Sequence, residues 1–570
     1  MVSRRLLASL LVSGLVLLAS IGALATGPQG TIKHVIVVVQ ENRTPDSLFY
    51  ADHPVLGTKN VRPPNNQGLC TKGGYSNVPV TLLPFSLDND CFDPRHLHQS
   101  WVDMYDSGNM DGACKIVLHY YGSCTQDNVP QCPAPPNGPG GPCPQYTYAD
   151  DSNHILDPYF QIANTYGFAN YMFQTHQGPS FPAHQFLFAG TSAPVTYPDD
   201  MWNWFAADNA VRPGNESVDN NGCIAPADEK VALISDSGNT AQCKQNPNSP
   251  YCKYPCYDHK TLGDVLKDAG VDWRYYARTA GELFTAPNAI SHLCGASNGK
   301  CQGDEWKAHV KPYIPGTDLQ NDDQAPIITD IENCNLSSPG GKSVAWVMPD
   351  GHWSDHPGHD PGTGPHDGGP DWVGAIVNAV GHATTCDSGA GYWSNTVILI
   401  VWDDWGGFYD HVAPMAIGYR PLDPSRWYVY GFRVPLLVVS AYATPHYVSG
   451  PASEADAICP GSSYCHDFGS ILNFIRFTFG PPDDFLPEIA DDPNNDPFAD
   501  HWAPDGPEVC ETCTYSLADF FDFTTAHAFT DITTAKYGRS CFKHPLDSGC
   551  FGSSFTPEVA DNDATDNVDE

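Results

Sequence analysis

Residues 32–39 (IKHVIVVV) read as a continuous β-branched run, which ends at the polar stretch Gln40-Glu41-Asn42-Arg43. A run without polar alternation predicts a strand covered on both faces, as in a parallel sheet. Residues 397–402 (VILIVW) repeat the arrangement and stop at Asp403-Asp404. Residues 434–439 (VPLLVV) and 344–348 predict further strands of the same sheet. Residues 260–269 (KTLGDVLKDA) have helical amphipathic spacing closed by Gly270, and 271–276 predict the strand that follows. A second helix is predicted over 371–380 (DWVGAIVNAV), ahead of the 397–402 strand. Helices alternating with apolar strands imply an α/β fold.

The flanks of this pattern differ from its middle. Arg4 and Arg5 precede the apolar run 6–24, which reaches Ala23-Leu24-Ala25, so residues 1–25 predict a signal peptide. No later stretch predicts a membrane span. Residues 124–143 and 215–256 are rich in Pro, Gly and Cys and predict surface insertions pinned by disulfides. Residues 556–570 are acidic with almost no large apolar side chains and predict a disordered tail. Residues 26–555 then form one folded domain.

Composition narrows the partners. The formal net charge is −38, from 28 basic and 66 acidic residues, which argues against nucleic acid because neutralising phosphates requires Lys and Arg. The same imbalance suits an acidic medium, where carboxylates are partly protonated. Twenty cysteines fit an oxidising compartment and an even count permits full pairing. Cys510-Glu511-Thr512-Cys513 has no second CxxC at zinc spacing, so it predicts a disulfide end.

In an open parallel sheet, ligands sit beyond the carboxyl ends of the strands. Glu41 and Asn42 follow one strand there, and Asp403 and Asp404 another. Such oxygen-bearing side chains in one crevice would repel one another without a cation, and hard oxygen ligands suit a divalent or trivalent metal. Gly178-Pro179-Ser180-Phe181-Pro182-Ala183-His184 places a serine between two prolines that restrict the backbone. Asp93-Pro94-Arg95-His96 and Ser354-Asp355-His356-Pro357 add imidazoles. Taken alone, a serine is usually a turn residue and a histidine usually structural.

The ordered set of segments VIVVVQENRTPDSLF (35–49), DPRH (93–96), MDG (110–112), GPSFPAH (178–184), SDHP (354–357), WDDWGGFYDHV (402–412), FRVPLLVVSAYA (432–443), GSILNFI (469–475) and LADFFDF (517–523) resembles the bacterial phosphoesterase family. That family contains phospholipases C and acid phosphatases and lies within the alkaline-phosphatase-like superfamily. The resemblance implies an α/β/α sandwich with a mainly parallel central sheet, a single phosphoesterase catalytic domain over 26–555, and one site at the sheet's carboxyl edge. It implies Glu41, Asn42, Asp403 and Asp404 as metal ligands, with Ser180 as nucleophile and further ligand. It implies His96 and His356 as histidines of the phosphate pocket, and His411 as a recurring family residue. His184 stands where the phospholipase branch has arginine. The family's D-H-T-S is here Asp467-Phe468-Gly469-Ser470, so a histidine is missing that His466 is placed to replace. Asn42 also opens an N-R-T sequon, but a ligand position at a strand end is poor for a glycan; Asn215 and Asn335 are better placed.

The expectation is a secreted, metal-dependent hydrolase of phosphate esters acting through a phosphoserine, without stable membrane insertion. Sulfate ester hydrolysis is the alternative reaction, since Ser180-x-Pro182-x-His184 is similar to the sulfatase C/S-x-P-x-R. A non-catalytic secreted binding protein on the same fold is the alternative class.

Overall fold

The computed structural model describes residues 27–50, 63–87, 92–120, 129–133, 140–194, 205–210, 221–234, 240, 242–312, 323–359, 364–414, 416–420, 423–451, 464–479, 515–553 and 555–557. The signal peptide expected at 1–25, the 510–513 motif, Asn215 and nearly all of the expected tail lie outside the described residues.

The main sheet is built from β1 (His34–Gln40), β2 (Gly167–Ala169), β3 (Asp272–Ala277), β4 (Val310–Pro312), β5 (Ser343–Val347), β6 (Thr396–Trp402), β7 (Leu436–Ser440) and β8 (Tyr447–Ser449). Their spatial order is β4-β3-β5-β1-β6-β7-β2-β8. The fully apolar strands occupy the centre because both of their faces are covered. β1 runs parallel to β5 and to β6, with Gln40 opposite Trp402. Five pairings in this sheet are parallel, and the two antiparallel ones both involve β7.

The reversal of β7 refines the predicted strand at 434–439. Regular pairing with β6 begins at Leu436, after Pro435, which has no N–H to donate to a ladder. Val434 instead donates to Met172 O at 3.0 Å, and Arg433 bridges Phe173. The amino end of β7 therefore meets the edge of the sheet where its parallel neighbours end.

The helices that cover the sheet are α1 (Pro45–Leu48), α2 (Asp157–Thr165), α3 (Ser180–Ala189), α4 (Leu262–Asp268), α5 (Gly369–His382) and α6 (Phe468–Phe479). On one face the indole N–H of Trp346 donates to Leu187 O in α3 at 3.0 Å. On the other, Trp402 donates to Asp355 at 2.9 Å beside Tyr159 of α2. The fold is thus an α/β/α sandwich. α4 starts where Thr261 and Asp264 form a reciprocal cap, and Gly270, at φ 69°, lets the chain turn into β3.

Seven disulfides join described cysteines: 70–114, 132–143, 223–256, 243–252, 294–301, 334–386 and 541–550. Cys132–Cys143, Cys223–Cys256 and Cys243–Cys252 fall in the two segments predicted to be pinned insertions. No helix among the described residues is long and apolar enough to cross a membrane.

Candidate active site

β1 and β6 end side by side, and Asp403 N still donates to Gln40 O at 2.9 Å one step past the regular pairing. That extension delivers Glu41 and Asp403 to one spot. Asn42 then takes φ 55°, a left-handed conformation that asparagine tolerates better than most residues. Its N–H donates to Asp403 Oδ1 at 3.0 Å. Asp404 N donates to the same oxygen at 2.7 Å, while Asp404 Oδ1 accepts from Gly406 N at 2.7 Å. Each aspartate thus has one oxygen fixed by backbone N–H groups and the other turned toward the cluster.

Two glycines make this approach possible. A Cβ on Gly406, at φ +61°, would stand 2.5 Å from Asn42 O, and one on Gly407 would stand 2.7 Å from Pro94 O. The Asp403-Asp404 turn therefore lies against the Asn42 backbone and against the segment carrying His96.

Ser180 is the first residue of α3, and its hydroxyl reaches the cluster from the opposite wall. Its Oγ lies 3.3 Å from Glu41 Oε2 and 3.4 Å from Asp404 Oδ2. The serine sits at the positive end of a ten-residue helix, a setting that favours an anion beside it. One helical turn later, His184 Nε2 lies 3.4 Å from Glu41 Oε1 and 3.7 Å from Asp403 Oδ2. Burial lowers the pKa of His184 to about 4, against the pull of the Asp403 carboxylate.

His96 completes the wall behind Asn42. Its Nδ1 faces Pro94 O at 3.0 Å, and because a carbonyl only accepts, the proton sits on Nδ1. Nε2 then accepts from Asn42 Nδ2 at 3.1 Å, which turns Asn42 Oδ1 away from His96. His356 Nδ1 is likewise engaged by Pro357 O at 2.5 Å, and its ring centroid lies 6.0 Å from that of His96.

Glu41, Asn42, His96, Ser180, His184, His356, Asp403 and Asp404 are all buried. Three carboxylates, an amide oxygen, a hydroxyl and an imidazole in one buried cluster fit a cation. Glu41, His184 and Asp403 each offer a ligand atom within 4.8 Å of the others.

His411 belongs to a second polar network. Its Nδ1 donates to Asp46 at 2.8 Å, and Arg433 lies among the same acids. The guanidinium donates from Nε to both Asp410 oxygens at 3.0 and 3.1 Å and from Nη2 to Asp46 Oδ1 at 3.3 Å. Its Nη1 donates to Asn170 Oδ1 at 2.9 Å. Burial raises the pKa of Asp410 to about 6 although Arg433 opposes the rise. Asp46, Asp410 and Arg433 all fall in recognised segments, yet nothing in their spacing revealed that one guanidinium would join them.

His466 contacts Ser449 at 2.9 Å and Asp519 at 3.4 Å. The imidazole beside Phe468 is instead His176, whose ring stacks on Phe468 and on Phe186. Burial lowers its pKa to about 3, with Asp403 and His184 among the charges it senses. Sequence reasoning passed over His176 because a histidine between Thr175 and Gln177 carries no pattern of its own.

A model of the Phosphoesterase family matches residues 32–482. The chain belongs to this family, whose members are hydrolases acting on phosphoric ester bonds. It is 23% identical over 484 residues to phospholipase C B of Mycobacterium tuberculosis, covering 79% of this chain and 74% of that one. Phospholipase C A of the same organism is 24% identical over 79% of this chain and 73% of its own length. Hemolytic phospholipase C of Pseudomonas aeruginosa is 21% identical over 80% of this chain and 54% of its own length. A solved structure described as a protein in the alkaline phosphatase superfamily from Vibrio parahaemolyticus is 10% identical, with a TM-score of 0.26, over 72% of this chain and 61% of that one.

Proposed function

We propose that the chain is a secreted, metal-dependent phosphoesterase of the acid phosphatase or phospholipase C type, with Ser180 as the attacking group. The observation that carries this reading is the Ser180 hydroxyl, at the amino end of α3, within 3.3 and 3.4 Å of the carboxylates of Glu41 and Asp404. Glu41, Asn42, Ser180, Asp403 and Asp404 would hold the ion. A bound cation favours the ionised hydroxyl and neutralises charge on the transferring phosphoryl group.

The remaining steps belong to the chain's own groups. Ser180 Oγ forms a bond to phosphorus as the bond from phosphorus to the ester oxygen breaks, in line with the attack. The leaving alkoxide takes a proton from Nε2 of His356 in its imidazolium form, because His96 Nε2 is taken up as acceptor from Asn42 Nδ2 while Pro357 O engages only Nδ1 of His356. Water then attacks the phosphoserine and gives a proton to the now neutral imidazole, the bond from phosphorus to Ser180 Oγ breaks, and phosphate leaves with Ser180 Oγ returned to its ionised form. The N-terminus of α3 stabilises the phosphoryl oxygens throughout. His184 stands beside the carboxylates, and His411 is held by Asp46 in the neighbouring network. The disulfides support export, since such bonds persist in oxidising compartments.

The substrate is a phosphate ester, and the named relatives make a phospholipid head group one of the esters to test. Phosphatidylcholine, a chromogenic monoester and a chromogenic diester are each assayed at acid and neutral pH before and after chelation. Hydrolysis of at least one, lost on chelation and restored by metal, is the expected result. Hydrolysis of none of them, or hydrolysis insensitive to chelation, overturns the reading. A sulfate ester of the same chromogenic alcohol is expected to remain intact.

A further inference from the structure

His184 lies on the buried wall beside Ser180, and its surroundings differ from those of a paired side chain. Neither ring nitrogen has a hydrogen-bond partner among the described residues, and the same holds for Asp403 Oδ2, although all three atoms are buried. An imidazole meant as a counter-ion would sit within hydrogen-bond range of its carboxylates, about 2.7–2.9 Å. The observed separations are longer, at 3.4 Å to Glu41 Oε1 and 3.7 Å to Asp403 Oδ2.

These lengths have another meaning. Two donors each about 2.1 Å from one ion lie roughly 3.0 Å apart at a right angle and roughly 3.4 Å apart at the tetrahedral angle. The contacts of Ser180 Oγ with Glu41 Oε2 and Asp404 Oδ2, at 3.3 and 3.4 Å, fall in the same range. Ser180 and His184 lie four residues apart on one helix and so share a face. Both therefore present a donor to Glu41 from the same wall, Ser180 reaching Asp404 as well and His184 reaching Asp403, at spacings suited to a shared ion. Asn42 adds its Oδ1, since its Nδ2 is taken by His96.

We propose that His184 is a nitrogen ligand of the metal, joining Glu41, Asn42, Ser180, Asp403 and Asp404, and that the site therefore selects a first-row transition ion over Mg²⁺ or Ca²⁺. The inference rests on the reading of this cluster as a metal site. An all-oxygen set suits Mg²⁺, Ca²⁺ or Mn²⁺, whereas imidazole favours ions such as Zn²⁺, Fe²⁺ and Co²⁺.

The test uses the full-length protein, stripped by chelation and reloaded separately with Co²⁺, Mn²⁺ and Mg²⁺. In the Mn²⁺ form, electron spin-echo modulation is expected to show coupling to an imidazole ¹⁴N, and His184→Gln is expected to lose it. Co²⁺ affinity is expected to fall at least tenfold in His184→Gln while Mg²⁺ affinity changes much less. The wild-type spectrum stands even where the variant fails to fold. Stoichiometric metal without ¹⁴N coupling, or wild-type Co²⁺ affinity in a folded His184→Gln, overturns the inference and leaves the oxygen ligand set intact. No binding of any of the three ions overturns both readings together.

Discussion

His96 Nε2 lies 3.1 Å from Asn42 Nδ2, and this contact decides which end of the Asn42 amide faces the cluster. With the imidazole proton fixed on Nδ1 by Pro94 O, Nε2 can only accept, so the NH₂ group must turn toward it. His96→Ala removes that constraint. Metal affinity is expected to fall roughly 10- to 100-fold, as when an outer group orienting a ligand is lost. Metal titration checks this, and unchanged affinity would leave His96 with no orienting role.

Ser180→Ala is expected to lower turnover by roughly 10³-fold or more while thermal unfolding stays near wild type. The alanine fits without a clash, and the variant should still take up metal at saturating concentration. Acid-quenched wild-type protein should carry a phosphate on the Ser180 peptide by mass spectrometry. A variant with wild-type turnover refutes the nucleophile.

Gly406→Ala tests how closely the two ligand turns must approach. The added Cβ meets Asn42 O at 2.5 Å in a left-handed conformation at φ +61°, so both strain and clash apply. A loss of roughly 1–3 kcal/mol is expected, together with weaker metal binding. Gly30→Ala is the control: it has φ +77° but nothing within 4 Å of the new Cβ, so it should lose stability without losing metal. Chemical denaturation and metal titration of both variants separate the two effects.

Asp355 gives the pH dependence a sign. Burial raises its pKa from 3.8 to about 6, while Arg43 and the donors Tyr159 and Trp402 oppose the rise. An acid whose folded pKa is raised contributes stability that is present below its unfolded pKa and is lost as pH rises through its folded pKa. Asp355→Asn cannot ionise. Relative to the variant, wild type is therefore expected to lose roughly 3 kcal/mol between pH 4 and pH 6, at about 1.36 kcal/mol per unit. Denaturant unfolding of both proteins across that window measures it, and parallel curves would refute the shift.

Arg433→Met leaves the carboxylates of Asp46 and Asp410 buried without their guanidinium. A loss of roughly 3–5 kcal/mol is expected at neutral pH, as for a buried pair robbed of one partner. The deficit should be smaller at pH 5 than at pH 7.5, because Asp410 takes up a proton near pH 6 in wild type and at higher pH once the lowering pull of Arg433 is gone. Urea unfolding at pH 5 and pH 7.5 tests the difference.

The strands that end at the cluster were legible because an apolar run stopped by acids is a pattern of neighbouring residues, and β1 and β6 appear within a residue or two of where the pattern placed them. The convergence of Glu41, Asn42, Ser180, Asp403 and Asp404 followed from the resemblance, and their contacts now give it geometry. The direction of β7 was not legible, because a short apolar run reads the same either way along the chain. Its reversal is what brings Arg433, rather than the residues after Ser440, to the edge of the sheet near the ligand turns. The position of His176 against Phe468 was also hidden, since it depends on packing between segments nearly 300 residues apart. The spacing of His184 from the serine was visible, but only its distances to the two carboxylates suggest a donor lone pair.

All ten residues of α3 are buried, so the rod bearing Ser180 has no solvent-facing side on which to rotate or drift. A change that alters which esters are accepted must then come from the rim around the crevice, because any shift in the attacking oxygen would oblige the interior on every side of the helix to rearrange. The aim of the hydroxyl is thereby inherited from the packing of the whole molecule.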